Sequence, residues 1–212
     1  MRLVKAILDR VLAALALVLL SPVFAGLALW TVLESGRPVI FRQRRAGKDG
    51  IPFSMLKFRT MVANALELGR ELNLSDDPYG LLPNDPRITR SGRFLRRTSL
   101  DELPQLWNVL RGQMSIVGPR PDLVDQVANY EPQDRRRLAV RPGITGWAQV
   151  MGRDEIPWEE RFRLDAWYVD NWSLRLDARI VLMTFTQLGR PEPEPVEDTL
   201  NIERARRGQT RS

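Results

Sequence analysis

The chain has 212 residues, enough for one domain with a hydrophobic core or for a small domain with an appendage. It contains no cysteine and no histidine, which excludes disulfides, thiol nucleophiles, histidine bases and the usual zinc sites. Its 32 Lys and Arg residues exceed its 26 Asp and Glu residues, and the formal net charge of +6 suits phosphate groups or an anionic surface. Any metal ion is expected to be a hard cation held by oxygen atoms, such as Mg²⁺.

A long apolar segment follows the basic N-terminus. Residues 11–33 carry no charge and are long enough for a helix that spans a bilayer. Ser21-Pro22 lies at the middle of this segment, where proline removes a backbone hydrogen bond and bends a helix. Both flanks are basic, whereas a spanning helix usually has its positive residues on one side. We therefore expect a helix that enters the membrane, breaks at Ser21-Pro22 and returns to the same face; a simple span or a buried helix is the alternative.

Two strands are predicted next, at residues 39–41 and 52–61, around a turn at residues 47–50. Lys57 and Arg59 alternate with apolar neighbours, so both charges face one side of the second strand. Exposed charges in a strand are usually solvated, and position alone assigns neither residue to a site.

A helix is predicted at residues 62–74 and an acidic, proline-containing loop at residues 75–86. Arg93, Arg96 and Arg97 then share one face at helical spacing. Such a face is either solvated or a surface for phosphate groups.

The most informative stretch is residues 99–121, SLDELPQLWNVLRGQMSIVGPRP. Asp101 and Glu102, here called the carboxylate pair, precede a short amphipathic helix. The spacing from Ser99 to Glu102 is that of a capping box, which favours a helix-capping role. Pro104, however, fits best at the first helical position, which leaves the carboxylate pair in the approach to the helix and free to act at one site.

The segment after this helix is a rigid turn, residues 118–121, that presents Arg120. Residues 121–137 are predicted to be helical with a break at Pro132. Residues 141–147 form a glycine-punctuated loop, and its backbone amides, together with Arg141 and Arg153, could receive a phosphate. The loop matches neither a P-loop nor a dinucleotide fingerprint.

Two further helices are predicted at residues 155–172 and 174–188. Their many aromatic residues indicate core packing, with seating in a membrane interface as the alternative. Asp177 begins an otherwise apolar helix and is either a helix-start residue or part of a site. Residues 191–212 are predicted to be an extended tail.

Taken in order, these segments resemble the bacterial sugar transferase family, the monotopic polyprenol-phosphate phosphoglycosyl transferases. The matching segments cover most of residues 1–188. They are the apolar hairpin with Ser21-Pro22, the KFRTM and DPRIT motifs at residues 57–61 and 85–89, residues 99–121, residues 141–153 and Leu176-Asp177.

The resemblance implies a small α/β, mostly α, globular domain with an N-terminal re-entrant membrane helix. The expected division is a re-entrant helix at residues 1–36, a catalytic domain at residues 37–190 and an extended tail at residues 191–212. It also implies a bacterial inner (plasma) membrane protein whose catalytic domain lies on the cytoplasmic face.

The activity implied by the resemblance is transfer of a sugar-1-phosphate from a UDP-sugar to polyprenyl (undecaprenyl) phosphate, with release of UMP and a requirement for Mg²⁺. This would be the first membrane step of surface glycoconjugate synthesis, including exopolysaccharide. Asp101 corresponds to the nucleophile that forms a phosphosugar-aspartyl intermediate, and Glu102 to a neighbour in metal binding or proton handling. Further family site positions fall on Lys57, Arg96, Arg120, Arg153 and Asp177.

Two other classes of function fit parts of the sequence. A non-catalytic membrane-attached binding protein is disfavoured because Asp101, Glu102, Lys57 and Arg120 are all intact. A soluble nucleic-acid binder fits the positive charge but not the apolar residues 11–33. The expected partners are thus a UDP-sugar, polyprenyl phosphate and the membrane, without nucleic acid; an oligomer is compatible with the sequence.

Overall fold

A bent pair of helices begins the computed structural model, which describes residues 2–72, 85–152 and 156–187. Helix α1 (Arg2–Leu19) and helix α2 (Ser21–Ser35) meet at an angle of 63°. Pro22 lies in the first turn of α2, and the Ser21 hydroxyl donates to the Val18 carbonyl at 2.8 Å. The helix break predicted at Ser21-Pro22 is confirmed.

By length and composition, no single helix in the described ranges suffices to cross a bilayer. Helices α1 and α2 pass that test only together, as a broken span or a re-entrant loop. The predicted membrane insertion itself stays a prediction.

The helix pair docks one face on the rest of the protein and exposes apolar side chains on the other. Ala13 of α1 packs with Val109 and Met114, and Leu27 of α2 packs with Phe58. The exposed apolar side chains of the pair are Leu3, Val4, Ile7, Leu8, Val11, Leu12, Leu15, Val18, Leu19, Val23, Leu29, Trp30 and Leu33.

An antiparallel hairpin follows, formed by β1 (Ile40–Ala46) and β2 (Pro52–Phe58) around a 3₁₀ turn at Lys48–Gly50. Both predicted strands and the turn are confirmed, although β1 is longer than predicted and β2 ends at Phe58. Beyond that point the Arg59 side chain turns to the end of α2, where it donates to the carbonyls of Ser35 and Gly36.

Short helical segments precede, contain and follow the carboxylate pair. Helix α3 (Ala65–Glu71) is shorter than the predicted helix, and residues 75–84 of the acidic loop predicted at residues 75–86 lie outside the described residues. Helix α4 (Arg90–Thr98) ends at Ser99, which has a left-handed backbone with φ of 56°. A 3₁₀ turn (Leu100–Glu102) and helix α5 (Gln105–Leu110) follow.

A second sheet is a parallel pair of three-residue strands, β3 (Ser115–Val117) and β4 (Gly143–Thr145). Between them lie helix α6 (Val124–Ala128) and a 3₁₀ helix (Asp134–Ala139). The predicted break at Pro132 is confirmed, since it falls between these two segments, but the helix predicted over residues 121–137 begins later and its second part is a 3₁₀ helix. The prediction of a loop at residues 141–147 is also wrong at β4.

Three helices complete the described fold: α7 (Trp147–Gly152), α8 (Trp158–Asn171) and α9 (Leu174–Gln187). The predictions of α8 and α9 are confirmed. Trp158 and Tyr168 of α8 are buried in the core, as expected for aromatic packing. The fold is therefore mostly helical with two small sheets, as predicted, and the predicted tail at residues 191–212 lies outside the described residues.

Candidate active site

The carboxylate pair lies in the 3₁₀ turn between α4 and α5, before the helix rather than in its first turn. The Ser99 side chain makes no capping hydrogen bond there. The Glu102 carboxylate accepts from Lys57 and Arg120 side chains instead. The helix-capping interpretation of this stretch is therefore wrong.

Two cations from distant parts of the chain meet the carboxylate pair. Lys57 of β2 places its Nζ atom 2.8 Å from Oε1 of Glu102 and 3.5 Å from Oδ2 of Asp101. Arg120 places its Nη2 atom 3.1 Å from the same Glu102 oxygen. The Lys57 side chain is 19% exposed and that of Arg120 is 46% exposed, so the site is closed on the β2 side and open at Arg120.

The two adjacent carboxyl groups have opposite pKa shifts. Burial raises the pKa of Asp101, against the lowering effect of Lys57 and with a further upward contribution from the charge of Glu102. Burial also disfavours ionised Glu102, but Lys57 and Arg120 outweigh it and lower the pKa of that carboxyl to about 2. Glu102 is thus ionised at neutral pH, whereas burial makes the ionised form of Asp101 less favourable than that of a solvated aspartate.

Arg96 supplies a more distant positive charge. Of the three arginines predicted on one face of α4, Arg93 and Arg97 are exposed whereas Arg96 is half-buried. Its Nε atom donates to the Thr60 hydroxyl at 3.0 Å, and its charge lowers the pKa of Asp101. Arg96 therefore acts on the carboxylate pair electrostatically, without an ion pair to it in the described structure.

Asp177 lies in a different polar cluster. Its carboxylate accepts hydrogen bonds from Lys5 Nζ at 2.6 Å, from the Tyr168 hydroxyl at 2.7 Å and from Trp172 Nε1 at 3.0 Å. None of these partners contacts the carboxylate pair within the described residues. The structure thus uses Asp177 to join the N-terminal helix to α8 and α9.

The remaining predicted phosphate ligands are Arg141, Arg153 and the backbone amides of residues 141–147. In the described ranges, Arg141 forms no ion pair with it, and Arg153 lies outside the described residues. The amide of Gly143 donates to the Pro119 carbonyl at 2.9 Å, so it is already occupied. A Cβ atom at Gly143 would lie 2.1 Å from the Gly118 nitrogen, which explains this glycine by close backbone approach rather than by phosphate binding.

The family model for bacterial sugar transferases matches residues 1–190. The chain belongs to this family. The transferase is 45% identical over 182 residues to the uncharacterized sugar transferase EpsL of Bacillus subtilis, an alignment that covers 84% of this chain and 85% of EpsL.

Two longer relatives have more specific names. The transferase is 46% identical over 191 residues to the UDP-glucose:undecaprenyl-phosphate glucose-1-phosphate transferase of Escherichia coli, covering 86% of this chain and 39% of that protein. It is 43% identical over 192 residues to the undecaprenyl-phosphate galactose phosphotransferase of Salmonella typhimurium, covering 86% and 40%. The chain therefore spans most of EpsL but less than half the length of these two relatives.

A buried polar cluster of the transferase was missed by sequence reasoning. Arg137 pairs with both Asp122 and Asp165, and the Tyr130 hydroxyl joins the same group. The signal that could have found it is Asp165, a carboxylate on the apolar face of α8, because a buried carboxylate requires a partner.

The carboxylate pair has the donor chemistry that Mg²⁺ prefers. Mg²⁺ is commonly bound by one or two carboxylates, with substrate phosphates and water completing its shell. Within the described residues no group of three or more acidic side chains is poised to hold a metal alone. Asp101 and Glu102 therefore fit a cation that binds together with a phosphorylated substrate.

Proposed function

We propose that this transferase moves a sugar-1-phosphate from a UDP-sugar to polyprenyl phosphate of the undecaprenyl type, as the first membrane step in the synthesis of a surface glycoconjugate. The names of the Escherichia coli and Salmonella relatives support this reaction and its lipid acceptor. The observation that carries the proposal is the meeting of Asp101 and Glu102 with Lys57 and Arg120 in a chain that has no histidine or cysteine.

In the proposed first step, a carboxylate oxygen of Asp101 attacks the phosphorus that bears the sugar. The bond from this phosphorus to the oxygen bridging the two phosphates breaks, and UMP leaves with that oxygen and the bonding electrons. The product is a mixed anhydride between Asp101 and the sugar phosphate. A phosphate oxygen of the lipid then attacks the same phosphorus, which releases Asp101 and gives the lipid-linked sugar diphosphate.

The charges of the site suit this proposal. A diphosphate repels an attacking carboxylate, so cations must offset the negative charge. Lys57 and Arg120 contact Glu102 at the edge of the site, where both can also meet phosphoryl oxygens, and an arginine fork holds such oxygens in pairs. Arg96 adds positive potential, and Arg153 is retained as a proposed phosphate ligand.

We further propose that Asp101 and Glu102 hold Mg²⁺. The ion, when bound, neutralises charge on the diphosphate as a Lewis acid. Its positive charge would also offset the burial that raises the pKa of Asp101, which favours the ionised nucleophile.

The proposed membrane arrangement is a re-entrant hairpin at residues 1–36, with the catalytic domain of residues 37–190 on the cytoplasmic face of the inner membrane. Both ends of the hairpin are bonded to the same domain. Near its start Lys5 donates to Asp177, and near its end Glu34 accepts from the backbone amides of Arg90 and Ser91. A simple span would separate two such ends by about 30 Å of hydrocarbon.

Purified enzyme in vesicles with undecaprenyl phosphate, Mg²⁺ and a panel of UDP-sugars tests the reaction. We expect UMP release with at least one donor and incorporation of its sugar phosphate into the lipid fraction. Omission of the lipid should stop multiple turnover. UMP release without any lipid-linked sugar, or no release with any donor, would contradict the proposed function.

A further inference from the structure

The turn that carries Arg120 is fixed through its backbone. Residues 119–122 are here called the Arg120 turn. The backbone carbonyls of all four residues accept hydrogen bonds from other parts of the chain. At its two ends the donors are backbone amides: Gly143 N donates to the Pro119 carbonyl and Ala46 N to the Asp122 carbonyl, each at 2.9 Å. The turn is thereby tied to β4 and to the end of β1.

At the middle of the Arg120 turn, the donors are two buried arginine side chains. Arg137 Nη2 donates to the carbonyl of Arg120 at 2.9 Å, and Arg45 Nη1 donates to the carbonyl of Pro121 at 3.1 Å. Both arginines are 5% exposed. Such burial of a guanidinium group is unusual and requires compensation by partners.

The direction of the Arg137 guanidinium is set by further partners. Its Nη2 atom lies 2.7 Å from Oδ2 of Asp165, and its Nη1 atom donates to Asp122 and to the Tyr130 hydroxyl. Its carbon Cζ also lies 4.9 Å from the centre of the Phe162 ring. These contacts fix the orientation of the Arg137 guanidinium, which donates to the Arg120 carbonyl.

From this fixed backbone, the side chain of Arg120 reaches Glu102 at 3.1 Å. That side chain is nearly half exposed, so its placement depends strongly on the turn from which it extends. A displacement of about 1 Å of a group that positions substrate can cost on the order of a hundredfold in rate.

We propose that Arg137, assisted by Arg45, is a positioning residue that fixes the Arg120 turn and so directs Arg120 to Glu102 and to the donor diphosphate. This inference rests on the proposed function, in which Arg120 binds that diphosphate. Within the described residues, the hydrogen-bond and ion-pair partners of Arg137 do not include the carboxylate pair, so we expect its effect on catalysis to pass through the backbone that it holds.

A double-mutant cycle between Arg137 and Arg120 tests the proposal. Arg137→Lys keeps a positive charge beside Asp122 and Asp165 but lacks the planar fork that reaches several acceptors at once. We expect it to lower kcat/KM for the UDP-sugar by about tenfold when Arg120 is present and by less than about twofold in the Arg120→Ala background, because coupled residues are not additive.

Wild type, the two single variants and the double variant are also titrated with UDP by calorimetry. The UDP affinities then complete the double-mutant cycle even if Arg120→Ala has no measurable turnover. Arg136→Lys is the matched control. Arg136 is adjacent to Arg137, but its side chain is 61% exposed and pairs with Asp170, so this variant should keep wild-type kcat/KM and UDP affinity. If Arg137→Lys does not fold, as judged by its thermal melt, Arg45→Lys in the two backgrounds gives the same test.

The outcomes separate this inference from the proposed function. Equal losses in the presence and absence of Arg120 would show a general structural role and overturn the inference, as would an Arg120→Ala variant with wild-type kinetics and UDP affinity. A wild-type enzyme that releases no UMP with any donor would instead overturn the proposed function.

Discussion

Asp101 and Glu102 are neighbours in sequence but differ in their surroundings. Glu102 forms ion pairs with both Lys57 and Arg120. Asp101 is buried, and its Oδ2 atom lies at the longer distance of 3.5 Å from Lys57 Nζ. The carboxylate of Asp101 is therefore less engaged by cations of the protein than that of Glu102. This difference in surroundings supports the proposal that the two carboxylates have different roles, with Asp101 as the nucleophile.

The first prediction concerns Asp101→Asn. We expect this variant to lose turnover by at least about a thousandfold while keeping its thermal midpoint, since the amide fits the same space but cannot form the anhydride. Wild-type enzyme mixed with radiolabelled UDP-sugar in the absence of lipid should carry label on Asp101, detected by mass spectrometry. Asp125→Asn, in the exposed first turn of α6, is the control and should label normally. Active enzyme that never becomes labelled would rule out the covalent route.

At the scale of secondary-structure elements, the polar contacts of α1 decide how the N-terminal helix is attached. Lys5 bonds Asp177 of α9, and Asp9 accepts from the Ser115 hydroxyl at 2.7 Å. These side chains occupy a helix whose other faces expose leucine, isoleucine and valine. Buried polar bonds restrict the helix to one orientation, which apolar contacts alone do not do.

The second prediction concerns Asp177→Ala. Removal of one partner from a buried ion pair leaves the other charge uncompensated, so we expect a loss of about 3–5 kcal/mol in the free energy of unfolding. UDP affinity should stay within about twofold at temperatures where the variant is folded, because the hydrogen-bond partners of Asp177 among the described residues do not include the carboxylate pair. Chemical denaturation and calorimetry measure the two quantities.

Asp170→Ala is the matched control for this prediction. Asp170 also pairs with one basic side chain, that of Arg136, but the Asp170 side chain is 41% exposed. Surface pairs contribute about 0–1 kcal/mol, so this variant should unfold almost like wild type. A selective loss of UDP affinity in Asp177→Ala, with unchanged stability, would instead place Asp177 in the substrate site.

The elements also show where sequence reasoning succeeds. The break at Ser21-Pro22, the β1–β2 hairpin and helices α8 and α9 follow from proline chemistry and from local hydrophobic periodicity. Strands β3 and β4 have three residues each and pair in parallel although 25 residues, 118–142, separate them in sequence, so no local pattern predicts them. The meeting of Lys57 with the carboxylate pair was expected from family resemblance alone, since spacing along the chain does not report distance in the fold.

At the scale of the whole molecule, stability should depend on the protonation of Asp165. Burial raises the pKa of this carboxyl to about 6, from 3.8, although Arg137 opposes the shift. The folded protein therefore binds this proton more tightly than the unfolded chain. The resulting stabilisation is complete below about pH 4 and is lost as the pH rises through about 6.

The third prediction compares wild type with Asp165→Asn across this range. The asparagine resembles the protonated carboxyl at every pH, so the stability of wild type relative to the variant should fall by up to about 3 kcal/mol between about pH 4 and pH 7. Urea unfolding at several pH values measures this difference. A wild-type advantage that grows with pH would show that Asp165 acts as an ordinary ionised partner of Arg137.

The last prediction concerns the sidedness of residues 1–36, where three single-cysteine variants separate a re-entrant hairpin from a simple span. The chain has no native cysteine, so Leu3→Cys, Arg37→Cys and Leu19→Cys each introduce one thiol. Leu3 is 73% exposed near the start of the hairpin, Arg37 is exposed just after it, and Leu19 is 76% exposed at the bend. In inside-out vesicles, an impermeant maleimide should label Leu3→Cys and Arg37→Cys but not Leu19→Cys, because a re-entrant hairpin keeps both ends on one face and its bend in lipid.

Glu131→Cys, on an exposed part of the domain, reports the cytoplasmic face in the same vesicles. Right-side-out vesicles should protect all four thiols until detergent is added. Labelling of Leu3→Cys from one face and of Arg37→Cys from the other would instead establish a span. That result would also require the Lys5–Asp177 bond to be absent in the membrane, since both hairpin ends could not then reach the same domain.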